Sequence, residues 1–267
     1  MKEPGKATQA PCNRASARRV IDRAVELPDK DQTNRSNHTR TPMSAARPLP
    51  TPKSDTMLIV IGAALLLSLA MGLRQSLGIF MQPITADLGI EVAEFTLAIA
   101  IQNLAWGIGQ PIFGAIAEKI GDRKAIIMGA LIYALGLVLS SFAVSPQAHQ
   151  LYEVLVGFGV AGTGFGVILA VVGRASSDEN RSMSLAIATA AGSAGQIFGA
   201  PVAEWMLSFL SWQNTFLIFA VAILSVLLTL PMVRAPAVSK AELEESMGTI
   251  LKRAFKDPSY TLIFLGF

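Results

Sequence analysis

From Met57 onward the chain alternates long apolar runs with short polar breaks. A transmembrane helix needs about 20 mostly apolar residues, and the chain reaches that length six times. The runs fall near residues 57–81, 95–117, 125–144, 151–173, 183–207 and 213–233. The breaks between them read PITADLGIEVAE, EKIGDRK, SPQAHQ, RASSDENRS and SFLSWQN. Breaks this short make consecutive helices antiparallel neighbours. The runs show none of the strict alternation of a membrane β-barrel. They are rich in Gly and Ala, small residues that let membrane helices approach backbone to backbone. The pattern predicts an all-α membrane protein, a bundle of six transmembrane helices over residues 56–234.

The flanks are of a different kind. Residues 1–55 are rich in Pro, Ser, Thr, Asn and Arg and hold no apolar period, so they read as a disordered tail. No apolar h-region marks a secretory signal, and Glu3, Asp22, Glu26, Asp29 and Asp31 speak against a transit peptide. Met43 and Met57 are alternative starts. Residues 235–258 are polar and form a connecting loop. Within them Leu243, Met247, Ile250, Leu251 and Phe255 make a stripe suited to a helix lying on the membrane face. Residues 259–267, SYTLIFLGF, open a new apolar run and stop far short of a span. They read as the truncated start of a seventh helix.

Charge then orients the bundle. Only 15% of residues are charged, against roughly 25% in soluble domains. A net charge of +3 and a pI of 9.1 would suit a nucleic-acid binder, but the bases lie elsewhere. Of 22 Lys and Arg, all except Arg74 fall on one side of the predicted membrane. They occupy the tail, the second break (Lys119, Arg123, Lys124), the fourth (Arg174, Arg181) and the segment after span six. The first break holds only acids, Asp87, Glu91 and Glu94. By the positive-inside rule the N-terminus is cytoplasmic, in a cell membrane of the bacterial inner-membrane type. The bilayer is the implied partner, and nucleic acid is not.

Other chemistries are thinly represented. The one cysteine, Cys12, supports neither a disulfide framework nor a thiolate metal site. His38 in the tail and His149 in a short loop are isolated and read as solvated, so no metal and no cofactor is expected. Gly157, Gly159 and Gly162 satisfy G-x-G-x-x-G, but inside a span and without a preceding strand. They read as helix packing, as do Gly192, Gly195 and Gly199 on one face of span five. The in-span acids Glu153 and Glu204 lie near span ends, and Glu153 reads as a solvated interfacial acid, the alternative being a proton carrier. No catalytic pair results, and an enzyme is not expected.

Polar residues inside spans point to a substrate path. Asn103, Trp106 and Gln110 follow i, i+3, i+7 and share one face of span two. Arg74 and Gln75 form one polar arc in span one. The amides suit either interhelical hydrogen bonding or substrate contact. Arg74 stays charged at any physiological pH, and a mid-span arginine costs at least about 2.5–3.5 kcal/mol. Snorkelling to outer headgroups is one explanation. A cavity holding an anion is the other, and it spares the charge rule that every other base obeys. A guanidinium pairs bidentately with carboxylates.

The second break, with its flank, reads GAIAEKIGDRK, and it resembles the loop signature of the major facilitator superfamily between transmembrane helices two and three. Gly114, Glu118, Lys119, Gly121 and Arg123 match it or substitute conservatively, while Asp122 stands where the family usually has a base. The resemblance implies a conformational loop that holds the inward-closed arrangement, with Glu118 facing a helix end in a second half. Span four lacks the arginine that family members often carry there, and the Gly-Pro dipeptide of the antiporter version is absent, since Ala200 precedes Pro201. The stretch GLRQSLGIFMQPITADLGI is similar to first helices of the monocarboxylate and oxalate/formate branch. Residues 57–267 thus look like the N-terminal half of a twelve-helix transporter that works by alternating access between six-helix bundles. The implied substrate is a small organic anion bound by Arg74, with Gln75, Asn103, Trp106 and Gln110 near it. The implied partner is a missing C-terminal six-helix half. The alternative is a non-transporting membrane scaffold or assembly partner made from a half-transporter.

Overall fold

The computed structural model describes residues 53–233 together with Lys256 and Pro258. The expectations for the tail, the amphipathic stripe and the seventh apolar run lie outside the described residues, apart from those two positions. Eight α-helices follow one another: α1 (Lys53–Ser76), α2 (Met81–Leu88), α3 (Val92–Ile120), α4 (Asp122–Ser141), α5 (Pro146–Thr163), α6 (Phe165–Ala175), α7 (Arg181–Leu207) and α8 (Trp212–Ser225). Short 3₁₀ turns at Leu77–Phe80 and Val226–Thr229 extend α1 and α8. No strand occurs among the described residues.

Among the described residues six stretches are long and apolar enough to cross a membrane. They are Asp55–Leu88, Val92–Ile120, Asp122–Ser141, Pro146–Ala175, Arg181–Leu207 and Trp212–Thr229. Each contains one predicted run almost whole, but several begin or end in what the hydropathy pattern assigns to breaks. Helix α2 runs from the end of the first apolar run into PITADLGIEVAE, and α3 starts in the same segment. There Glu91 and Glu94 form a reciprocal capping box, which satisfies backbone donors at the helix start. Helix α5 starts inside SPQAHQ, with Pro146 in its first turn and the Ser145 hydroxyl accepting from the Ala148 N–H at 3.3 Å. Proline at the first helical position and serine at the N-cap are both favoured, so this polar break is a helix start.

His149 therefore sits within a helix, not in a loop. It is 1% exposed and stacks on Phe95 at 5.9 Å, which overturns the solvated reading.

The core lies between the spans. Leu66, Leu67, Met71, Tyr133, Ile168 and Phe216 are among its fully buried side chains. Helix α1 packs chiefly on α7, while α5 packs on both α3 and α4. Both contacts depend on small residues. A Cβ on Gly195 of α7 would overlap the Ser68 carbonyl of α1, and one on Gly199 the Gly72 carbonyl. On α5, a side chain at Gly157 would overlap the Gln102 carbonyl of α3. A Cβ on Gly162 would sit 2.6 Å from the Gly129 Cα of α4. A Cβ on Gly192 would sit 2.9 Å from the Phe165 ring. Backbones this close gain dispersion contacts that larger side chains would prevent.

Candidate functional site

Arg74 lies in the last turn of α1, just before the 3₁₀ turn at Leu77–Phe80. Its Nη2 donates to Asn103 Oδ1 on α3. The Asn103 amide is itself anchored, because its Nδ2 donates to the Ile99 carbonyl at 2.8 Å. The guanidinium carbon stands 4.4 Å from the centre of the Trp106 ring, one helical turn further along α3. This cation–π contact contributes roughly 0.5–2 kcal/mol, more when water is excluded. The charge is thus directed onto α3 within the bundle, as an inward cavity requires and headgroup snorkelling does not.

Two donors at this place have no hydrogen-bond partner among the described residues: Arg74 Nε and the indole Nε1 of Trp106, both buried. Gly164 lies against the indole nitrogen from span four. Here the span breaks into α5 and α6, and Gly164 is at once the C-cap of one and the N-cap of the other. A Cβ on Gly164 would meet the Val160 carbonyl at 2.6 Å, Met71 Cε at 3.2 Å and Trp106 Nε1 at 3.6 Å. The break therefore brings the start of α6, with its outward N–H groups, next to the indole. Gln110, one turn beyond Trp106, abuts Gly166 in the first turn of α6. Asn103, Trp106 and Gln110 line one face of α3 toward Arg74 and this break. Gln75 is not joined to them, being exposed and forming no hydrogen bond among the described residues.

A second polar cluster was not anticipated. Glu153 is 1% exposed, so the reading of a solvated interfacial acid is wrong. Gln102 Nε2 donates to its Oε2 at 2.8 Å, and the Ser140 hydroxyl lies 3.3 Å from Oε1. The carboxyl lies in the α3–α4–α5 interface, which screens it from solvent. Gln102 neighbours Asn103 in sequence, but on a helix adjacent residues diverge, and the two amides serve different clusters.

At the loop between α3 and α4, Gly114 is half-buried, and Glu118, Lys119 and Gly121 are exposed. Gly121 has φ 98° and ψ 145°, a conformation that disfavours any side chain. Asp122 pairs with Arg174 at the end of α6, at 2.5 Å. Arg123 Nη2 donates to the Leu230 carbonyl at 2.8 Å, beyond the turn that ends span six. The loop thus ties span three to spans four and six.

Six helices long and apolar enough to cross a membrane, with Arg74 turned among them, make the described residues a multi-pass bundle. The chain belongs to the Major Facilitator Superfamily, whose family model matches residues 63–267. It is similar to Monocarboxylate transporter 13 of Rattus norvegicus, at 28% identity over 162 residues, covering 60% of this chain and 37% of that protein. It is also similar to the Sialic acid transporter NanX of Escherichia coli K12, at 28% identity, covering 54% of this chain and 35% of that protein. Monocarboxylate transporter 2 of Homo sapiens is 26% identical over 69% of this chain and 39% of its own length. The chain thus spans well under half the length of these relatives. Among solved structures, a bacterial homologue of the human lysosomal transporter Spinster, inward-facing and unoccupied, superimposes with a TM-score of 0.60. That likeness covers 81% of this chain and 52% of the other at 15% identity, and it is one of fold.

Proposed function

We propose that this chain forms the N-terminal bundle of a secondary transporter for a small organic anion, with Arg74 as the residue that binds the carboxylate. The observation that carries the proposal is the pair of buried donors, Arg74 Nε and Trp106 Nε1, with no acceptor among the described residues. A buried donor left unpaired costs about 1–3 kcal/mol, and a carboxylate would accept from both. The helix start at α6 adds positive potential on the same side. The three similar proteins are named as transporters of monocarboxylates or of sialic acid. Asn103 orients the guanidinium, and Gln110 abuts Gly166 just beyond the same helix break.

The remaining features support alternating access against a second bundle. Spans α3 and α7 bury the smallest share of their apolar windows, 28% and 17%. Their uncovered faces are suited to a facing half. The basic loops support a cytoplasmic N-terminus for this bundle. The loop around Gly121, tied to spans four and six, would brace that side of the bundle.

The test is a binding titration on the chain in lipid nanodiscs. With Trp205 and Trp212 replaced by Phe, Trp106 becomes the sole fluorophore. Monocarboxylates should change its emission saturably, and their uncharged amides should not. Arg74→Ala should abolish the response. An unchanged titration in Arg74→Ala, or an equal response to the amides, would overturn the proposal.

A further inference from the structure

Spans one, five and six leave a crevice between them. Span five packs along span one, span six packs chiefly on span three, and spans five and six hardly touch each other. Span one therefore forms a floor between two walls. The resulting cavity has a volume of about 410 Å³. Leu65, Leu69 and Leu73 line it from α1, Phe198 and Val202 from α7, and Phe219 from α8. Small residues make the room: Gly72, Gly195 and Gly199 lie where the backbones of α1 and α7 meet.

The crevice lies at hydrocarbon depth. From Asp55, where span one begins, to Leu65 is about 15 Å of helix, half of a hydrocarbon core roughly 30 Å thick. It also opens outward. Leu58, Ile61 and Leu65 are exposed along one face of α1, as are Phe198 and Val202 on α7 and Val221 and Leu228 on span six. The crevice is thus continuous with the surface that these spans present to the bilayer.

The lining decides what can enter. None of the residues that form it is charged, and its polar side chains are Ser68, Ser225 and Thr229. The Ser225 hydroxyl donates to the Ala222 carbonyl at 2.6 Å, and that of Thr229 to the Val226 carbonyl at 2.7 Å. Both hydroxyl hydrogens are therefore engaged within their own helix. An anion finds no cation here, and a water needs two to four polar partners that this wall does not offer. Left empty, the crevice would forfeit dispersion contacts on three spans at once. A second bundle lying across α3 and α7 would leave the side between α7 and α8 open. The bilayer's own hydrocarbon matches both the depth and the lining.

We infer that this crevice is a binding site for one acyl chain of a bilayer lipid, laid along Leu65, Leu69 and Leu73 of span one. The chain is held by packing alone, and no bond is made or broken. The inference does not depend on anion binding at Arg74, and its test uses no anion.

The experiment is photolabelling of the chain in phosphatidylcholine nanodiscs that contain a trace of phosphatidylcholine with a diazirine in mid-chain. Mass spectrometry maps the labelled residues. Leu65–Leu73 and Phe198–Val202 should carry severalfold more label than Leu131 and Leu135, which are exposed on span three. Ser225→Trp and, separately, Val202→Trp each place a ring in the crevice from an exposed position. Either should remove the excess and leave the span-three label unchanged. Equal labelling of the crevice and span three would mean ordinary boundary lipid and would overturn the inference. So would an excess that survives in both variants. Cross-linked dimers from a benzophenone side chain at position 198 would also overturn it, since a second copy would then fill the place.

Discussion

Arg74 lies over the face of Trp106, its guanidinium carbon 4.4 Å from the ring centre, while the indole N–H has no partner. One residue thus holds a charge and its neighbour holds a donor, the indole lying beside the break at Gly164. A contact between α1 and α3 becomes a place where an acceptor is needed.

Arg74→Lys should bind monocarboxylates more weakly than wild type and more strongly than Arg74→Ala. Lysine keeps the charge but lacks the planar fork. Losing a charge-assisted hydrogen bond of about 1.5–3 kcal/mol corresponds to roughly 10- to 150-fold in affinity. Fluorescence titration of the single-tryptophan chain measures this ordering.

Gly195→Ala should unfold at lower temperature than wild type, since its Cβ would overlap the Ser68 carbonyl of a neighbouring backbone. Overpacking of this kind costs about 1–3 kcal/mol. Gly107→Ala is the control, because nothing lies within 4 Å of a Cβ there. Thermal unfolding in detergent, followed by circular dichroism, compares the two.

The Asp122–Arg174 pair should show its contribution in a double-mutant cycle. The two side chains remain partly exposed, at 16% and 26%, so solvent weakens the attraction. A coupling of about 1 kcal/mol or less is expected between Asp122→Ala and Arg174→Ala. The exchanged pair, Asp122→Arg with Arg174→Asp, should recover part of the loss of either single reversal. Detergent stability of the set reads this out.

Asp87→Ala should loosen the attachment of α8 to α2. Asp87 Oδ2 accepts from Trp212 Nε1 at 2.9 Å and from Gln213 Nε2 at 2.7 Å. Trp212 is 4% exposed, so its indole N–H would lose its acceptor in a buried place. A cost of about 1–2 kcal/mol is expected, with Asp87→Asn retaining part of the bond. Hydrogen–deuterium exchange at the start of α8 should rise accordingly.

The pattern of residues carried the bundle a long way. Six apolar runs, the one-sided bases and the small residues of spans four and five were legible because they follow from what a bilayer permits. A span has to be long and apolar whatever its neighbours are. Arg74 was conspicuous for the same reason, as a charge where hydrocarbon is expected. Helix ends were less legible. SPQAHQ is polar enough for a loop, yet Ser145 and Pro146 are also what a helix start requires.

The chain by itself determined which segments enter the membrane, since insertion depends on length and composition summed along the sequence. It also determined that Asn103, Trp106 and Gln110 share a face, since helix periodicity is local. The tertiary structure alone decided which polar groups meet. Arg74 reached Asn103 and Trp106 but not Gln75, because α1 packs where its last turn faces α3. His149 and Glu153, which look like surface residues in sequence, became buried because α3 and α4 close over α5. Burial of one side of a helix is a property of its neighbours, and no periodicity within the helix encodes it.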